Sequence, residues 1–190
     1  MNTMDPAMLI TLVVIVVLAL AGFALYQRNR SRHLKEHYGT EYRHTVEHLE
    51  SRTKAEQELR AREKRVAALH LGPLPAAVAA QFDQSWKALQ GRFVDNPKGV
   101  VTEADKLVRD LMLKRGYPMG DFERCAADIS VDHPTVVDHY RAAHEIALLD
   151  RRGEATTEDL RKALVHYRAL FQDLLEVAPE PIPVRPAEAR

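Results

Sequence analysis

The chain has a single cysteine, Cys125. It cannot close an internal disulfide, and with no CxxC partner it forms no paired redox motif, so its expected role is a buried, inert thiol. Walker loop, dinucleotide fingerprint, HExxH and G-x-S-x-G patterns are all missing, which leaves no reaction signature and no expected cofactor. No stretch alternates apolar and polar residues with period two, so strands are not expected, and no repeat of about 20 to 50 residues marks a solenoid. Net charge is also missing, with 27 basic and 27 acidic side chains. Residues 27–71 carry 11 basic and 7 acidic groups, and residues 72–190 carry 16 and 19. The distal part is thus at 16 − 19 = −3, without interleaved aromatic and basic residues, so no nucleic-acid partner is expected.

What is present begins with an uncharged apolar run over residues 7–26, followed by Arg28, Arg30, Arg32 and Lys35. About 20 residues at 1.5 Å per residue match a hydrocarbon core of roughly 30 Å, so this run is expected to be a transmembrane helix through the lipid bilayer. Residues 1–6 are then a short N-terminal extension without Lys or Arg. The basic cluster is expected at the membrane surface, with the body on the cytoplasmic side. The rivals are a retained anchor facing outward and a signal peptide cleaved after Ala19-Leu20-Ala21. Cleavage lacks the basic residues that should precede such a run. Small residues Ala19, Ala21 and Gly22 allow close approach of two spans and hence a homodimer, although no clean GxxxG is present.

Residues 27–71 contain one breaker, Gly39, and Glu-to-basic pairs at i,i+4: Glu50 with Lys54, Glu56 with Arg60, Glu58 with Arg62. They read as a long charged juxtamembrane helix. Leu34, Tyr38, Tyr42, Val46 and Leu49 form a short apolar stripe expected to dock on the body or a partner. Leu71-Gly72-Pro73-Leu74-Pro75 is a breaker cluster, after which residues 72–178 read as a bundle of about four main helices. Phe82, Trp86, Leu89 and Phe93 mark the first. Asn96 caps and Pro97 opens the second, which buries Val101, Ala104, Val108, Leu111 and Met112 and stops at Gly116. A short helix around residues 121–129 follows. Asp132-His133-Pro134 reads as the start of a helix carrying Val137, Tyr140, His144 and Leu148. Gly153 ends it, and Thr156 with Asp159 resembles a capping box ahead of Leu160, Leu164, Tyr167, Phe171 and Leu174. Residues 179–190, with four prolines, read as a disordered or extended tail.

The fold class expected is therefore all-α: one N-terminal transmembrane helix, a charged helix and a bundle. Several local patterns extend this reading: Phe93-Val94-Asp95-Asn96-Pro97, Ala104-Asp105-Lys106-Leu107-Val108, Arg115-Gly116-Tyr117-Pro118, Ser130-Val131-Asp132-His133-Pro134 and Tyr140-Arg141-Ala142-Ala143-His144. With Tyr38-Gly39-Thr40-Glu41-Tyr42 and Thr157-Glu158-Asp159-Leu160-Arg161, they span about residues 36–176. In these motifs the chain resembles an uncharacterised family of bacterial single-span membrane proteins. The resemblance implies an inner-membrane location and supplies no catalytic residues.

Four histidines invite a metal reading. On one continuous helix His33, His37, His44 and His48 fall at about 0°, 40°, 20° and 60° around the axis. Imidazoles at i,i+4 can share an ion, yet a straight helix offers two ligands to one ion where zinc wants three or four. A solvated face and a pH-sensitive face are the competing readings. Arg115 and Tyr117 read as a helix end and turn with a possible binding role. Asp132 and His133 read as a helix start, and as an acid–base pair they lack a nucleophile. His139 and His144 do not share a face, and His144 reads as a core histidine hydrogen-bonded to a neighbouring helix. Trp86 reads as a core anchor. The functional expectation is a membrane-tethered helical scaffold that recruits a protein partner without catalysis. The alternatives are metal or pH sensing through the histidines, and an exported envelope protein or enzyme.

Overall fold

The computed structural model describes the backbone of residues 6–177 and the side chains of residues 14–22, 25, 26 and 28–177. The expected tail and the first five residues lie outside these. The described residues form eight helices: α1 (Pro6–Tyr38), α2 (Thr40–Leu49), α3 (Arg52–Ala67), α4 (Ala76–Gly91), α5 (Pro97–Arg115), α6 (Phe122–Asp132), α7 (Val137–Arg151) and α8 (Thr157–Leu174). The all-α architecture expected from the apolar spacing is present.

The transmembrane helix is not. Among the described residues no helix is long and apolar enough to cross a membrane, which corrects the expectation for residues 7–26. The helix does not end where the apolar run ends: α1 carries on to Tyr38, taking Arg28, Arg30, Arg32 and Lys35 with it.

The single long charged helix is also replaced. Gly39 at φ 49° ends α1, and Glu50 at φ 49° ends α2. Left-handed φ stops helical propagation, and glycine adopts it without the Cβ clash that other residues meet. Residues 27–71 therefore contain three helical segments.

The chain divides into two compact units, Met1–Leu59 and Arg60–Arg190. In the first, Leu34, Tyr38, Tyr42 and Leu59 form a small buried cluster with Val46 against it. The stripe predicted from helical spacing thus packs largely on itself. Polar groups are buried beside it: Ser31, Glu41, Thr45 and Glu56. The Tyr42 hydroxyl donates to Glu56 Oε1 at 3.0 Å, and Arg52 Nε donates to the same oxygen at 3.0 Å.

The second unit is built on α8, which packs against both α5 and α7, while α4 lies on α5 and α6 on α7. Its core includes Leu74, Trp86, Leu89, Val108, Leu111, Met112, Ile129, Tyr140, Tyr167, Leu170, Phe171 and Leu174. Trp86 stacks on Phe171 with ring centroids 4.7 Å apart. The local start and stop signals are realised: the Asn96 side chain accepts from Gly99 N, Pro97 opens α5, and Thr156 with Asp159 forms a capping box. Where the chain enters and leaves the bundle, Leu74 N donates to Glu176 O at 2.9 Å, beside a parallel bridge from Leu74 to Val177.

One start signal is a stop. Asp132 is the last residue of α6, His133 caps it by donating its backbone N–H to Ile129 O, and α7 begins only at Val137. Pro134 excludes the helical conformation from the residue before it, so it closes α6 as effectively as it would open a helix.

Candidate functional site

Four residues singled out from the sequence, Arg115, Tyr117, Asp132 and His133, meet where α5, α6 and α8 end. Arg115 arrives there because α5 stops in a tight motif. Gly116 takes φ 100° and its N–H donates to Leu113 O, while Tyr117 N donates to Met112 O. This paired 5→2 and 6→1 pattern satisfies the last carbonyls of the helix. A Cβ on Gly116 would stand 2.7 Å from His70 O, so the position needs glycine for both its torsion and its space.

The Arg115 guanidinium is buried and serves three elements. One nitrogen, Nη1, donates to Leu174 O at 3.2 Å, and Nη2 donates to Glu176 Oε2 at 2.8 Å. Positive charge on the last carbonyls of α8 is favourable because these carry the negative end of the helix dipole. The same Nη1 lies 3.5 Å from His133 Nε2, and His133 Nδ1 stands 2.5 Å from Asp173 Oδ2. A guanidinium can only donate, so His133 fits as the tautomer with its proton on Nδ1, donating to Asp173 and receiving from Arg115. Tyr117 is buried beneath, donating to Asp132 Oδ2 at 3.4 Å. Burial first, and then the Asp132 charge, push its phenol well above the usual tyrosine range, so it stays a proton donor.

This cluster is a clasp in which two of the three carboxylates, Asp173 and Glu176, come from α8 and the turn after it. Neither was singled out in the sequence, because partners 40 and 61 positions away leave no local spacing. The Asp173–His133 pair has the form of an orienting carboxylate and a base. No hydroxyl or thiol nucleophile is hydrogen-bonded to it among the described residues. Cys125 is buried, with Sγ near Pro118 O and Gly120 O at 3.9 and 3.8 Å.

Further polar pairs fasten other helices. Arg65 reaches the buried Asp128 at 2.7 Å through both Nε and Nη2, and Arg62 Nη1 donates to Ser130 Oγ at 3.3 Å, so the end of α3 is tied to α6. Tyr167 donates to Asp105 Oδ1 at 2.9 Å between α8 and α5. His144 stacks face to face on Phe122 with centroids 3.7 Å apart, and burial holds it below the usual histidine range. His139 and His166 face one another across α7 and α8, Nδ1 to Nδ1 at 2.9 Å. Their ring centroids lie 5.2 Å apart, so the two nitrogens point along the line joining the rings, with one proton between them. Burial, then the neighbouring His139, lowers the His166 pKa.

The four-histidine set lies on two helices. His33 and His37 stack in α1 with centroids 6.3 Å apart, and His44 and His48 stack in α2 at 6.4 Å. Among the described residues no group of three or more His, Cys, Asp or Glu is placed to hold a metal ion. Arg28, Arg30, Arg32 and Lys35 are exposed along α1. Arg30 lies over the Tyr26 ring at 5.9 Å and Lys35 over the Tyr42 ring at 5.5 Å.

Two clefts flank the outward side of α5. One, of about 500 Å³, runs between α4 and α5 over Ala88, Leu89 and Leu107, with Arg92 and Glu103 at its rim. The other, of about 410 Å³, is lined by Thr102, Asp105, Lys106, Arg109, Asp110, Leu113 and Met119. Compared with known proteins, the chain matches no family model, no curated protein and no solved structure.

Proposed function

We propose that the protein is a helical interaction module that recruits a protein partner and does not turn over a substrate. The observation that carries this reading is the α4–α5 groove. Its floor is the apolar strip of Ala88, Leu89 and Leu107, and its rim holds a two-pronged Arg92–Glu103 pair, Nη1 to Oε1 at 3.1 Å and Nη2 to Oε2 at 2.5 Å. An apolar strip edged by both signs of charge suits an amphipathic helix laid into a groove. At the turn joining the same two helices, Val94 is 89 % exposed. The residues with catalytic potential support the reading from the other side, since Arg115 and His133 are engaged with Leu174, Asp173 and Glu176.

Site-specific photo-crosslinking in cells tests it, using the full chain with the photoreactive side chain at Ala88, or at Glu158 as a remote control. One discrete protein adduct from Ala88 alone, lost with Arg92→Glu, is the expected result. Equal adducts from both positions, or none from Ala88, would overturn the reading.

A further inference from the structure

The second cleft on α5 contains four charges that leave one another alone. Asp105 and Arg109 are four residues apart on the helix, as are Lys106 and Asp110, the spacing at which helical ion pairs close. It closes elsewhere in this chain, between Asp83 and Lys87 at 2.6 Å and between Arg52 and Glu56 at 3.0 Å. In the cleft it does not: among the described residues Lys106, Arg109 and Asp110 make no hydrogen bond or ion pair with any side chain. Asp105 is half-buried and fixed by a different helix, its Oδ1 accepting from Tyr167, and it also lines the cleft. Burial and the nearby Asp105 carboxylate raise the Tyr167 pKa far above the ordinary range, which keeps that phenol a donor and that carboxylate oriented. Beside the charges lie two exposed apolar side chains, Leu113 at 56 % and Met119 at 36 %.

An anchored anion, two unpaired cations, a second carboxylate at Asp110 and an apolar patch within about 410 Å³ suit a ligand carrying both charges and an aliphatic group. The volume falls in the lower part of the range for small-molecule sites, about 300–1,000 Å³. We propose that this cleft binds a free aliphatic α-amino acid. Asp105 receives the ammonium group, Arg109 takes the carboxylate through its paired donors with Lys106 alongside, and Leu113 and Met119 cover the side chain. The inference goes beyond the recruitment reading and stands without it, because the ligand is small and its two anchors, Asp105 and Arg109, line the second cleft alone, although Lys106 and Asp110 border both.

Titration of the full chain with L-leucine, followed by calorimetry and by amide chemical shifts, tests the assignment. Two probes each delete one charge: N-acetyl-leucine lacks the ammonium and leucine amide lacks the carboxylate. The expected result is saturable leucine binding, weakened about tenfold or more for each probe. Asp105→Asn keeps an acceptor for Tyr167 and removes the charge, so it should abolish leucine binding while the unfolding temperature stays near the parent value. Arg109→Gln should act on the carboxylate side alone, binding leucine and leucine amide equally weakly. No saturation by about 10 mM leucine, equal binding of N-acetyl-leucine, or unchanged binding by the Asp105→Asn chain would each overturn the proposal. Leucine amide binding as well as leucine would overturn the carboxylate half and so the free amino acid. None of these outcomes bears on crosslinking from the α4–α5 groove.

Discussion

The two units of this chain bury different things. In residues 60–190 the interior is a broad apolar cluster in which Trp86, Tyr167, Phe171 and their neighbours interlock. Among the described residues of 1–59 the interior is a small cluster of Leu34, Tyr38, Tyr42 and Leu59 with Ala55 also buried, and Ser31, Glu41, Thr45 and Glu56 are buried beside it. A large apolar core tolerates imperfect polar geometry because area dominates its stability. A small one depends on each hydrogen bond being made, since a buried group left without a partner costs about 1–3 kcal/mol. The bundle should therefore fail through its volume and the first unit through its polar contacts.

The hardest blow to the bundle is Phe171→Ala, which removes the ring stacked on Trp86 and leaves a cavity between α4 and α8. It should lower stability by about 3–5 kcal/mol in denaturant unfolding followed through Trp86 fluorescence. Next is Gly116→Ala, which meets a left-handed φ and the His70 carbonyl together. A loss of about 1–3 kcal/mol is expected in the same measurement.

In the first unit, Tyr42→Phe deletes one hydroxyl and should cost about 1 kcal/mol. Hydrogen exchange should show faster amides around residues 38–59 while the bundle core is unchanged. The pH dependence sharpens the contrast. Burial raises the Glu56 pKa, but hydrogen bonds from Ser31, Arg52 and Tyr42 outweigh it and hold the group below the usual glutamate range. Glu56 therefore stabilises the first unit above pH 4.5, and that contribution disappears as pH falls through its lowered value.

The smallest effect belongs to the histidine pair of the bundle. His166 is held below 6.5, so folding disfavours its protonation. Its contribution is present above pH 6.5 and is lost as pH falls through the folded value. Amide exchange at the α7–α8 contact should accelerate in that window, and His166→Gln should flatten the response.

The contrast also marks what could be read in advance. Helix ends in the bundle were legible because a cap is a local event: Asn96 with Pro97, Gly116, Gly153 and the Thr156–Asp159 box are each contained within a few residues. Core positions such as Val108 and Phe171 followed from period 3.6. The clasp was half legible. Arg115, Tyr117, Asp132 and His133 stood out as motifs, but Asp173 and Glu176 join them only through the return of α8. Asp132-His133-Pro134 was ambiguous because the residue types that open a helix can equally close one, as they do here at the end of α6. In residues 1–59 the local rules misled: one glycine and the left-handed Glu50 divide a stretch whose charge pattern favours a continuous helix. The run over residues 7–26 was judged by its length, its lack of charge and its basic flank, and the helix that contains it takes that charged end along.

The bridge between Leu74 and Val177 has a consequence for topology. Because the segment that leads into the bundle lies beside the segment that leads out, the path from Leu74 through α4 to α8 nearly returns to its origin. Such a path is a ring with one cut, and the cut can be moved. Joining residue 177 to residue 74 through a short linker and reopening the chain at the exposed Val94 turn would preserve α4 to α8, their packing on one another and the clasp at Arg115. The order of helices along the chain is thus incidental to the bundle, and the packing around α8 is what defines it.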